Sequence, residues 1–96
     1  MDEKQLYEQK LQAQLDEWKA DIDKLKAKAD GARADAQLEL KRQIDELELK
    51  LQDGRSRLAE LSKASGEAWV TLREGMESAW ESLSTAMSEA ASKFKQ

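Results

Sequence analysis

The chain contains no cysteine, no histidine and no proline. Without cysteine there are no disulfides and no thiol chemistry, which suits a cytoplasmic setting. Without histidine as well, the usual metal ligands, the common general base and the strongest nucleophile are missing. The four glycines, Gly31, Gly54, Gly66 and Gly75, stand apart, so no glycine-rich phosphate loop can form. Val70 is the only valine, Ile22 and Ile44 the only isoleucines, and Thr71 and Thr85 the only threonines. β-Branched residues are thus nearly missing, and strands have little support. No apolar run approaches the ~20 residues of a membrane span. The opening "MDEKQLYEQK" has no apolar stretch of the kind a secretory leader needs.

What is present points one way. Charged residues make up 38% of the 96 positions, and Leu, Ala, Glu, Lys and Asp dominate. This is the composition of long helices and coiled coils. The net charge is -4 with both signs interspersed. No basic patch neutralises phosphates, so no nucleic-acid partner is expected. A helix this polar buries only a stripe, and partner helices are expected to cover it.

Heptad spacing runs through the first two thirds. Leu11, Leu15, Trp18, Ile22, Leu25, Ala29, Ala32 and Ala36 fall at steps of four and three. The seam is bulky at first and thins to alanine around Gly31, where it keeps its phase. After a four-residue stutter it resumes through Leu40, Ile44, Leu47 and Leu51, crosses Gly54, and continues at Leu58 and Leu61. The unbroken phase predicts continuous helix, although the Asp53–Gly54 pair is also a turn signal. Glu46 and Lys50, Asp53 and Arg57, and Lys41 and Asp45 are each four apart, as ion pairs on a solvated helix face would be.

The last third carries an eleven-residue repeat: "LAELSKASGEA", "WVTLREGMESA", "WESLSTAMSEA". Its first position holds Leu58, Trp69 and Trp80, and its fourth Leu61, Leu72 and Leu83, continued by Phe94. The seventh position is small, Ala64, Gly75 and Ala86, the eighth holds Ser65, Met76 and Met87, and Ala68, Ala79 and Ala90 close each copy. Eleven residues make about three helical turns, so each set lies on one face. The stripe suits helix packing. It also suits a lipid surface, but Arg73 is the only cation from Ser65 to Ser92, against five glutamates. An anionic leaflet repels such a face, and Lys93 and Lys95 are too few to reverse that. Tyr7 and Trp18 repeat the eleven-residue spacing as core anchors or a partner hot spot.

"SKASGEAW" is the expected break. Ser65 can cap, Gly66 can turn, and Glu67 suits the start of a helix. A straight-through helix is the alternative. The paired carboxylates Asp16 and Glu17, and Asp21 and Asp23, lie on a helix without a concave pocket, which argues against acid–base catalysis.

Two stretches, "YEQKLQAQLDEWKADIDKLKAKAD" and "SGEAWVTLREGMESAWESLSTAMSEAASKFK", resemble small bacterial coiled-coil proteins of the stress-response or uncharacterised coiled-coil kind. The marks are Trp18 in "LDEW", the "KAKAD" segment, and Trp69 and Trp80; Gly31 and Gly54 depart from the helix formers expected there. The resemblance implies a soluble, non-enzymatic protein with no catalytic residue and no defined substrate.

The expectation is therefore an all-α fold: a long heptad-patterned helix over 1–64, and a shorter amphipathic helix over 65–96 folded back on it as a hairpin. At 1.5 Å per residue the first spans about 85–90 Å and the second about 45 Å. The second cannot cover the first, so the seam from Leu11 to Leu25 calls for a second copy, in a coiled coil or helical bundle. The packing residues are expected to be Leu11, Leu15, Trp18, Ile22, Leu25, Ile44, Leu47, Leu51, Leu58, Leu61, Trp69, Leu72, Met76, Trp80, Leu83, Met87 and Phe94. No cofactor, metal or small-molecule substrate is expected. The function expected is structural or interactive, through homo-oligomeric packing. A peripheral lipid binder and a holdase that offers its Trp and Met stripe to unfolded clients are the alternatives.

Overall fold

A computed structural model describes residues 2–94. They form three helices: α1 (Glu3–Asp30), α2 (Ala34–Lys63) and α3 (Gly66–Phe94). With 28, 30 and 29 residues, each is about 42–45 Å long, and they lie side by side in a bundle 51 × 21 × 18 Å.

The expected two-helix hairpin is thus corrected to three helices. The extra break falls at Gly31–Arg33, inside the alanine section of the first seam. The phase there is continuous, but the burial is not: Ala29 is buried, Ala32 half-buried and Ala36 exposed. So little apolar area holds that section straight that folding back is favoured, because it places the Leu11–Leu25 seam against Ile44–Leu61 of the same chain. Gln37 Nε2 donates to the Asp30 carbonyl at 3.0 Å, and Lys41 Nζ lies 3.9 Å from the Asp30 carboxylate, so side chains of α2 secure the end of α1.

Helix continues through Gly54, as the phase requires, and breaks again before Gly66. There Ala64 is extended, and Gly66 has a φ of 60°, a left-handed conformation that favours glycine. Ser65 is not the side-chain cap the sequence suggests; the α3 boundary is set by this glycine. At the opposite end, Asp2 caps α1 by accepting from the Gln5 backbone N–H at 2.9 Å. Lys4 donates to the Ser62 carbonyl at 3.3 Å and so satisfies an acceptor in the last turn of α2.

The core follows the seams. Leu11, Leu15, Ile22, Leu25, Ile44, Leu47, Leu51, Leu58, Leu61, Trp69, Met76, Trp80, Leu83 and Met87 are buried in one cluster with Ala29 and Ala90, and Trp18 and Phe94 pack half-buried against it. These contacts are made within one chain. The reason for requiring a second copy over Leu11–Leu25 is thereby removed, because α2 covers that seam.

Leu72 lies outside the buried cluster of the single chain and is 37% exposed. In α3 the buried positions run Trp69, Met76, Trp80, Leu83, Met87 and Ala90, which is heptad rather than eleven-residue spacing. The position between Trp69 and Met76 on that seam is Arg73. Its guanidinium lies 5.3 Å from the centre of the Trp69 ring.

Candidate functional site

Two regions carry more than core packing. The first is the aromatic contact between α1 and α3. Tyr7 meets Trp69 edge-on, with ring centres 5.7 Å apart and planes at 77°. Trp18 meets Trp80 at 5.7 Å and 47°. The offset in sequence is the same for both pairs, so α1 and α3 run parallel and in a fixed register, with α2 antiparallel to both. The shared eleven-residue spacing of Tyr7–Trp18 and Trp69–Trp80 is what allows both pairs to form at once.

Burial raises the pKa of the Tyr7 phenol, the Glu77 carboxylate adds to that, and Arg73 opposes it. The indole N–H groups of Trp69 and Trp80 and the Nε of Arg73 are buried without a hydrogen-bond partner in the chain. The arrangement locks two helices together.

The second region is the outer groove between α2 and α3. An open depression of about 390 Å³ is lined by Leu49, Lys50, Asp53, Gly54, Arg57, Ala79, Ser82 and Leu83. Another, of about 410 Å³, continues it past Ser78, Thr85, Ala86, Glu81 and Glu89. A narrower one of about 120 Å³ extends it to Gln43, Glu46 and Lys93. Lys50 borders all three. The groove exists because several of the α3 residues facing it, Ser78, Ala79, Ser82 and Ala86, are small. Leu49 stands at its edge, 71% exposed. Both charge signs line it, and Arg57 is tied to Asp53 at 2.8 Å.

Leu49 does not belong to either sequence seam, which is why periodicity passes over it. The other expected helix-face pairs, Glu46–Lys50 and Lys41–Asp45, are not closed ion pairs; Lys41 reaches Asp30 instead. Between α1 and α2, Lys26 meets Glu48 at 3.1 Å, and that hydrogen bond raises the lysine pKa.

The carboxylates singled out in the sequence do not converge. Asp16 accepts from Gln12 at 3.1 Å and Asp23 lies 3.5 Å from Lys19, both on the open surface of α1. Among the described residues no group of three or more acidic side chains is placed to hold a metal ion. None of the described helices is long and apolar enough to cross a membrane. Lys95 lies outside the described residues. No protein family, curated protein or solved structure matches this chain.

Proposed function

We propose that this chain is a non-enzymatic structural protein that acts by packing against a second copy of itself, through the α2–α3 groove rather than through its heptad seams. The observation that carries this reading is the groove: a continuous small-residue trough on α3 beside an exposed leucine on α2. A helix of a second copy can approach such a trough closely, and Leu49 of each copy gains cover. Lys50, Arg57 and Lys93 against Glu46, Asp53, Glu81 and Glu89 give the mixed-sign rim that a self-complementary contact needs.

A cytoplasmic place in stress physiology rests on the family resemblance and on the lack of cysteine.

The lipid and holdase readings need the Trp and Met stripe at the surface. Trp69, Met76, Trp80 and Met87 are instead in the core, so both require the bundle to open first.

Sedimentation over a wide concentration range tests the proposal. The expected result is a reversible dimer that Leu49→Glu weakens about a hundredfold or more, the worth of one buried leucine on each copy, with unchanged helicity. A native chain that stays monomeric at millimolar concentration overturns it.

A further inference from the structure

We propose that the α2–α3 turn is a hinge, and that the bundle can open there into a domain-swapped dimer in which α2 and α3 become one continuous helix. This goes beyond docking at the groove: the α3 of each copy takes its ordinary place on the other copy's α1 and α2, and the new surface is confined to where the two hinges pass each other.

Three observations carry it. First, only Ala64 and Ser65 separate the two helices, so the turn is short and changing few dihedrals opens it. A short hinge between long helices invites exchange. Second, the eleven-residue repeat does not stop at the turn. Its first copy starts at Leu58, inside α2, and runs through Ser65 and Gly66 to Ala68. Leu58, Leu61, Ser65, Trp69, Leu72 and Met76 follow one another at steps of three and four, so a straightened segment keeps one stripe, apolar except at Ser65. Nothing about the closed turn requires the repeat to hold its phase across it.

Third, the closed form leaves Leu72 37% exposed and Val70 44% exposed beside the hinge. In the closed bundle α3 uses Arg73, not Leu72, on its seam. In the straightened segment Leu72 lies on the stripe, where the two open hinges of a swapped dimer pass each other. Gly66 is the latch. Its φ of 60° is easy for glycine and costly for any other residue, and nothing lies within 4 Å of where its side chain would be. A substitution there therefore acts through the backbone alone.

The experiment compares the native chain with three variants by light scattering and small-angle X-ray scattering. Gly66→Ala penalises the left-handed turn and favours helix; each hinge is expected to contribute at least about tenfold, so the dimer constant rises at least ~100-fold. The swapped dimer contains a continuous helix of about 90 Å, where the closed bundle is 51 Å long. Inserting Gly-Ser-Gly-Ser after Ser65 relieves the turn and is expected to return the chain to a folded monomer. Ala79→Glu, which blocks the α2–α3 groove, is expected to leave the long dimer of Gly66→Ala intact. A folded Gly66→Ala chain that remains a monomer, or forms a dimer no longer than side-by-side bundles, overturns the hinge. So does a long dimer that survives the insertion. A dimer lost with Ala79→Glu alone bears instead on the groove.

Discussion

Two glycines inside helices behave differently because their surroundings differ. A Cβ on Gly54 would stand 3.4 Å from Leu15, Leu83 and Trp80 at once, so the missing side chain is where all three helices close up. Gly54→Leu is expected to destabilise the fold by about 1–3 kcal/mol or more, from overpacking. Gly75 has nothing within 4 Å of its would-be Cβ. Gly75→Ala is expected to stabilise by about 1 kcal/mol, since alanine simply loses less backbone freedom. Chemical denaturation of the two variants separates these outcomes. Neither role is legible in the sequence, where both are isolated glycines in a helical pattern.

Tyr7 supplies a residue-scale pH dependence. Its folded pKa is raised, chiefly by burial. Below the unfolded value of about 10 the full contribution to stability is present; it is lost as pH rises from there through the folded pKa. Thermal melts between pH 9 and 11 are expected to fall more steeply for the native chain than for Tyr7→Phe, with lysine titration common to both. Equal slopes would show that the phenol is not held protonated by the fold. Arg73 beside it fills a seam position with its stem and covers Trp69 with its charge. Arg73→Ala is expected to cost about 1 kcal/mol and to shift Trp emission to the red.

At the scale of elements, the helices were legible wherever the seam was bulky. Leu11 to Leu25 and Ile44 to Leu61 are apolar at regular steps, and helix follows. The alanine section misled because periodicity records phase and not area. Ala29, Ala32 and Ala36 keep the register yet hold too little surface to make a straight helix worth more than a folded one. The turn before Gly66 was readable from Ser65–Gly66, although the φ of Gly66 does the work expected of the Ser65 side chain. Asp2 is the opposite case, a cap whose side chain is used. Asp2→Ala is expected to lower stability by about 1 kcal/mol and to fray the first turn of α1, read by amide exchange. Leu15 is fully buried between helices. Its replacement by alanine is expected to cost about 2–5 kcal/mol.

For the whole molecule, the composition, the near absence of β-branched residues and the 3–4 spacing determined an all-helical protein with a stripe to bury, because helix period and side-chain type are local properties. Most of the regularly spaced large residues lie in the buried cluster, whereas Trp18 and Phe94 are half-buried against it and Leu72 is exposed. Which surfaces meet was decided only in three dimensions. Leu72 and Arg73 are neighbours in sequence, and the choice between them depends on where α1 stands, with Tyr7 already against Trp69. The groove beside Leu49 likewise belongs to no single helix; it is the space that the small side chains of α3 leave once α2 and α3 lie side by side. Covering the first seam from within the chain was also a tertiary outcome, because a turn at Gly31 brings α2 onto α1 at no cost in association entropy, whereas a second chain must bear that cost.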